Sequence, residues 1–318
     1  MRVGVAGNGN IVKRFLKDAG ELPNVQLTSI CVRERSRERG QELASAYGME
    51  VYTDYREFLS SPDIDTVYIG LINTQHFPYA REALLAGKHV ICEKPLTVTA
   101  AEARELAELA REKQLFLWEA FKLPYAPIVP AVKNHLDRLG PVRMVQCSYC
   151  RTGKAYQDYQ NGSVRPVLDP ACAGGCLYDV NVYNLHFVIG LFGSPEKVQY
   201  FANRGFNGAD TSGTILLQYP GFQAVCTAAM DCSSENFCMV QGENGWIKTE
   251  GPISSAAQAV LHLGDQAEVV AEHPEKGRLK FEIAEFARQF ETGDYDACYE
   301  MLAHSLRVME VLEVCRKQ

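Results

Sequence analysis

No run of eighteen or more apolar residues occurs in the 318-residue chain, so a membrane-spanning helix is not expected. No block of Lys or Arg stands out and the net charge is −7, which argues against nucleic acid or an anionic membrane as the partner. Low-complexity tracts and obvious internal repeats are missing too, as in an ordinary globular protein. The opening stretch "MRVGVAGNGN" lacks the apolar core and cleavage site of a signal peptide, and a cytoplasmic location is the expectation.

Metal-ligand spacing is also lacking, although cysteine is not scarce. The eleven cysteines are odd in number and scattered. Cys147 and Cys150 form a C-x-x-C inside "VRMVQCSYC", but that segment reads as a strand, where side chains three apart point to opposite faces. Cys172 and Cys176 flank a glycine pair with no second ligand pair at zinc-site spacing. Reduced, mostly buried thiols and no metal are expected.

What is present is an ordinary globular composition, 47% apolar and 22% charged, at a length that predicts two domains. Strand patterns at 2–6, 25–32, 66–71, 88–92 and 115–120 alternate with helical ones at 10–20, 36–47, 75–87 and 99–113. Thr99 and Glu102 form a capping-box signature. This rhythm implies βαβ crossovers and a doubly wound parallel sheet over residues 1–121. From 122 to 318 it gives way to strands at 142–150, 196–203, 212–218 and 223–229, a helix at 176–190, and closing helices at 278–292 and 300–316. The expected fold class is therefore α/β: a Rossmann domain followed by an α+β domain on a large, mainly antiparallel, open-faced sheet. The last helix can pack back on the first domain, and the sheet offers a route to a homodimer or homotetramer.

"VGVAGNGNIV" places Gly7 and Gly9 at the first two positions of G-x-G-x-x-G, after a strand and opening a helix. The N–H groups around Asn10 and Ile11 then face a pyrophosphate. The third position is Val12, which is expected to hold strand and helix slightly apart. After the second strand come Arg33, Glu34, Arg35 and Arg37, with no acid at the strand terminus. Guanidiniums there suit a 2′-phosphate and favour NADP, with NAD left open because Glu34 can itself take the ribose.

Two polar clusters can do chemistry. Ligands of a doubly wound sheet lie beyond the carboxyl ends of its strands. Asn73 and His76 in "INTQHF", and Glu93-Lys94-Pro95 in "VICEKPLTV", fall on that rim, as does Glu119, and Asn73, His76, Glu93 and Lys94 are expected to contact the cofactor. Lys94 would lie over the nicotinamide, and Glu93 either orients it or caps the strand. In the second cluster, "GGCLYDVNVYNLHFVIG", Asp179, Tyr183 and His186 stand at i, i+4 and i+7 on an otherwise apolar helix. Substrate binding with proton transfer, or a structural hydrogen-bond network, both fit that stripe.

Together, "GVAGNGNI", "INTQHF…EALLAGKHVICEKPL", "GGCLYDVNVYNLH" and "FARQFETGDYD…SLRVMEVLEV" resemble the oxidoreductases grouped around glucose–fructose oxidoreductase and inositol dehydrogenase (Gfo/Idh/MocA). The nearest branch is that of dihydrodiol dehydrogenase and NADP-linked xylose dehydrogenase. The resemblance implies hydride transfer between the nicotinamide and a carbon bearing a hydroxyl or carbonyl, on a sugar, polyol or cyclic diol. It makes Lys94 the active-site lysine, Asp179 the aspartate that binds the substrate hydroxyl, and Tyr183 the proton-transfer residue. Glu119, Lys122 and Arg165 are expected to border the substrate. Two departures stand out: Leu71-Ile72 replaces the usual Thr-Pro, and "EAFKLPYAP" carries Lys122 and Pro124 where an aromatic and an arginine are common. A cofactor-binding sugar sensor without turnover, and an NAD-dependent glycosidase, are the competing readings.

Overall fold

The computed structural model of the chain describes residues 1–275 and 277–318. It divides into two compact units, residues 1–121 with 279–306, and residues 122–278 with 307–318.

The first unit follows the alternation of short β-branched runs and helical segments. Its elements are β1 (Arg2–Ala6), α1 (Asn10–Ala19), β2 (Gln26–Cys31), α2 (Arg37–Ser45), β3 (Glu50–Tyr52), α3 (Tyr55–Ser60), β4 (Thr66–Ile69), α4 (Asn73–Leu85), β5 (His89–Glu93), α5 (Ala100–Glu112) and β6 (Leu117–Ala120). The strands form one parallel sheet in the order β3-β2-β1-β4-β5-β6. The order reverses between β1 and β4, the place where such a sheet opens a crevice for a ligand. Thr99 closes the capping box of α5 with Glu102. Strand β3 and helix α3, absent from the sequence reading, are three and six residues long.

The second unit supplies α6 (Ile128–Asn134), β7 (Val142–Cys150), α7 (Lys154–Gln160), α8 (Val182–Phe192), β8 (Lys197–Arg204), β9 (Asp210–Tyr219), β10 (Phe222–Ala229), β11 (Phe237–Gly242), β12 (Gly245–Glu250), β13 (Gln258–Leu263) and β14 (Gln266–Glu272). Eight strands run in the order β14-β13-β12-β11-β7-β10-β9-β8, all antiparallel except for the β7–β10 pair. Pro220-Gly221 makes the two-residue turn between β9 and β10, with Gly221 at φ +84. Inner-face residues such as Val145, Ile215, Ala224 and Val240 are fully buried, and alternate residues face outward.

Helix α9 (Lys280–Thr292) returns to the first unit, where Trp118 Nε1 donates to Gln289 Oε1 at 2.7 Å and the Leu279 amide to Asp18 Oδ2 at 2.6 Å. Helix α10 (Tyr295–Arg316) begins in the first unit, with Tyr295 stacked on Phe116, and ends in the second. Nine of the eleven cysteines are buried, and no disulfide joins them. Among the described residues no helix is long and apolar enough to cross a membrane, and no group of His, Cys, Asp and Glu is placed to hold a metal.

Candidate active site

The glycine turn sits between β1 and α1. Gly7 has φ +115, and a Cβ there would stand 2.5 Å from the Gly70 carbonyl oxygen, so β1 and β4 end in close contact only because this residue is glycine. Gly70 makes room for Val12, since a Cβ at 70 would lie 2.6 Å from Val12 Cγ2. At Gly9 an added Cβ would meet nothing within 4 Å, leaving open space over the start of α1. Helix α1 has no side-chain cap and no acid in its first turn. Its first amides, those of Asn10 and Ile11 included, therefore keep their donors for an anion. Asn8 Nδ2 is a further donor in this turn with no protein partner. An uncapped, roomy helix start fits a dinucleotide pyrophosphate.

At the end of β2, Val32 is buried and Arg33 leaves the strand exposed and extended. A hydrogen bond from Thr53, joined by Arg37 Nη1 at 3.4 Å, holds the Glu34 carboxyl below its usual range. Arg37 thus faces Glu34, and the charge of Arg33 reaches Tyr79 on α4, whose phenol burial pushes up.

Lys94 follows β5 directly, and its peptide bond to Pro95 is cis. The residues around it are unusually well buried for a strand end. Glu93, 6% exposed, accepts the Tyr68 hydroxyl at 2.7 Å, and the Tyr68 ring stacks on Phe15 of α1 with centroids 3.7 Å apart. Burial, then Glu93, raise the Tyr68 phenol well above its ordinary value, so it stays a donor. Asn73 opens α4. His76, 1% exposed, brings Nδ1 to 2.8 Å from the Pro95 carbonyl and Nε2 to 3.2 Å from that of Leu71. Burial lowers its basicity, the Lys94 charge adds to that, and the two carbonyls oppose it. Glu119, 4% exposed inside β6, accepts the Leu96 amide at 2.9 Å.

In the second unit, Gly174 and Gly175 explain themselves by contact. A Cβ at 174 would overlap the Pro166 carbonyl oxygen, and one at 175 would overlap Asp210 Oδ1. Asp210 Oδ2 accepts the Leu177 amide at 2.6 Å and the Tyr200 hydroxyl at 2.7 Å, so a carboxylate from β9 caps the segment carrying Asp179. Burial raises the Asp210 carboxyl pKa, with those bonds pulling against it.

That segment is not the single α-helix expected over 176–190. Residues Leu177–Asn181 form a π-helical turn, in which the Val182 amide reaches back to Leu177 O, before α8 starts. Such widened turns recur at functional sites. Asn181 Nδ2 donates to Cys226 O at 3.1 Å and Asn184 Nδ2 to Thr227 O at 3.2 Å, tying both turns to β10. From Gly175 to Ile189 every residue is buried except Asp179 and Tyr183. His186 is buried as well, so the polar stripe contains two residues rather than three. Tyr183 packs on a cluster holding Cys176, Val180 and Met230, with its ring 6.1 Å from that of Tyr149.

Arg165 pairs with Asp158 beside the loop that Gly174 approaches. Lys122 takes a left-handed conformation at φ 52 and lines a small cavity with Ile253, Ser254 and His273. Tyr68, Asn181, Asn184 and Asp210 were not among the candidates. The two asparagines did leave a signal, polar residues three apart in an apolar helix, whereas Asp210 lies more than thirty residues from the segment it caps.

Residues 1–121 match the family described as "Oxidoreductase family, NAD-binding Rossmann fold", and residues 132–248 match "GFO/IDH/MocA C-terminal domain". The chain is 30% identical over 319 aligned residues to scyllo-inositol 2-dehydrogenase (NADP(+)) IolU of Bacillus subtilis (strain 168), covering 100% of this chain and 97% of that protein. It is 33% identical to trans-1,2-dihydrobenzene-1,2-diol dehydrogenase of Sus scrofa, over 82% of this chain and 77% of that one. Among solved structures, KijD10, a 3-ketoreductase from Actinomadura kijaniata in complex with NADP and TDP-benzene, superposes with a TM-score of 0.88. There the identity is 26%, with 100% of this chain and 97% of that chain covered. With an open dinucleotide turn at β1, near full-length likeness to an inositol dehydrogenase and a ketoreductase, and partial likeness to dihydrodiol dehydrogenase, the chain belongs to the GFO/IDH/MocA oxidoreductase family and is an NAD(P)-dependent oxidoreductase acting on CH–OH groups.

Proposed function

We propose that this enzyme prefers NADP and that its substrate is a sugar, polyol or cyclic diol with a secondary alcohol or carbonyl, with Lys94, Asp179 and Tyr183 as the catalytic groups. One observation carries the substrate side: Asp179 and Tyr183 alone stay partly open in a segment otherwise buried from Gly175 to Ile189. A carboxylate and a phenol kept accessible at such packing cost suit a ligand rich in hydroxyls. Asp179 accepts a hydrogen bond from a substrate hydroxyl, and Tyr183 takes or returns the alcohol proton. Lys94 contributes its ammonium to the same oxygen. The nicotinamide, when bound, supplies or takes up the hydride. The relatives named for scyllo-inositol and trans-dihydrodiol oxidation support a cyclic polyol or diol.

The NADP preference rests on the β2 terminus. Glu34 is held by Thr53 and Arg37, which leaves Arg33 as the group for a 2′-phosphate rather than an acid for a ribose hydroxyl. Self-association through the second unit's sheet is supported by its outer face. The outward positions of β7, β9, β10 and β11 bear no charge, and Met144 and Leu216 stand open on them. A neutral face of this kind suits a two-fold contact with a second copy.

The test is turnover of aldoses, inositols, ketoses and dihydrodiols with each cofactor, followed by nicotinamide absorbance, in the wild type, Lys94→Ala and Tyr183→Phe. Each variant is expected to lose kcat by roughly a hundredfold or more while binding NADP as the wild type does. Full turnover in both overturns the catalytic assignment, and cofactor binding without turnover of any substrate overturns the reaction.

A further inference from the structure

Lys94 sits at the start of a loop whose next two residues are each gripped by a buried polar side chain from a neighbouring element. His76 of α4 reaches the Pro95 carbonyl at 2.8 Å, and Glu119 of β6 accepts the Leu96 amide at 2.9 Å. Both grips are made on backbone atoms, and both side chains are almost wholly out of solvent, at 1% and 4% exposure. Cys92 Sγ adds a weaker contact to the Leu96 carbonyl at 3.6 Å. A side chain that bonds to the main chain inside the core is placed to orient that main chain.

We infer that His76 and Glu119 are positioning residues for Lys94, holding its loop from both sides rather than meeting cofactor or substrate. This rests on the proposed role of Lys94. Both ring nitrogens face carbonyl oxygens, and the shorter contact, Nδ1 to Pro95 O, makes Nδ1 the expected site of the ring proton, with Nε2 toward Leu71 O. A neutral imidazole carries one N–H, so it commits to the lysine loop first. The groups whose charge reaches the ring are Lys94 from the loop after β5 and Glu119 from β6, of opposite sign.

The inference separates variants that keep the grip from those that lose it. His76→Asn retains a donor near the Nδ1 position and Glu119→Gln retains an acceptor, whereas His76→Leu and Glu119→Leu retain neither. The Asn and Gln variants are expected to keep kcat within about threefold of wild type. The Leu variants are expected to lose roughly tenfold to a hundredfold in kcat, because displacing a reacting group by about 1 Å has that cost. KM for substrate and Kd for NADP should move less than about threefold in all four, which a ligand-contacting residue would not allow. Nitrogen-15 shifts of the His76 ring in the wild type should show Nδ1 protonated. Should the Leu variants not fold, the Asn and Gln pair still decides. A loss of kcat in Glu119→Gln, or a rise in cofactor Kd in His76→Asn, overturns the inference. Lys94→Ala serves as the reference: if it turns over normally, the role of Lys94 itself fails, whereas an inactive Lys94→Ala beside fully active Leu variants refutes the positioning role alone.

Discussion

Substituting Gly175 by alanine probes how the Asp179–Tyr183 segment is held. Two costs follow from the geometry. Gly175 has φ +145, where an L-residue pays about 1–3 kcal/mol. The new methyl would also overlap Asp210 Oδ1, and moving that carboxylate strains its bonds to the Leu177 amide and the Tyr200 hydroxyl. Hydrogen bonds to a charged group contribute about 1.5–3 kcal/mol each, so losing one brings the total to about 2.5–6 kcal/mol. For a unit of this size that is a fall in Tm of roughly 5–24 °C. Gly193 supplies the control. It ends the same helix at φ +74, and an added Cβ there meets nothing within 4 Å, so Gly193→Ala carries the backbone cost alone. Thermal unfolding of wild type and the two variants, with kcat measured at 25 °C, checks the reasoning. Gly175→Ala should lie well below Gly193→Ala in Tm and show the larger loss of kcat. Equal Tm values for the two variants would refute the claim that Asp210 fills the space a side chain needs.

Arg33→Ala is expected to raise KM for NADP by roughly tenfold or more and to leave KM for NAD within about threefold, which steady-state kinetics with both cofactors measures. Stability should fall on acidification through His89. Its Nδ1 accepts the Phe116 amide at 2.9 Å, and burial lowers its pKa from 6.5 to about 4. Because the folded state resists a proton that the unfolded state takes up, the contribution is intact above pH 6.5 and is lost as pH falls toward about 4, by up to about 3 kcal/mol. Denaturant titrations across that range should show a flatter slope for His89→Gln. On the outer face of the second sheet, Leu216→Glu is expected to shift the protein to a smaller species in light scattering at unchanged kcat per folded chain, and an unchanged mass would count against that face as the contact.

Legibility in the sequence tracked the range of the interaction. The alternation over β1 to β6 is local: each strand is a short apolar run and each helix a periodic one, so the parallel sheet could be read before any contact was known. Strand β3 and helix α3 were missed because three and six residues carry no measurable period. Strand β14 was missed for a different reason. Asn244-Gly245 and Gly264-Asp265 are turn signals, but β14 is an edge strand exposed or half-exposed on both faces, so its residues show no period-two contrast. At the candidate site, the polar residues announced themselves as acids, bases and glycines in unusual places, whereas their partners did not. His76 and Glu119 bond to the carbonyl of Pro95 and the amide of Leu96, and main-chain atoms have no identity that a sequence can display. The same holds for Gly175, whose need for glycine is imposed by a carboxylate thirty-five positions later in the chain. The chemistry of a residue was visible in one dimension, but what it was free to touch was set by burial, and a buried acid such as Glu119 reads the same in sequence as one facing a substrate.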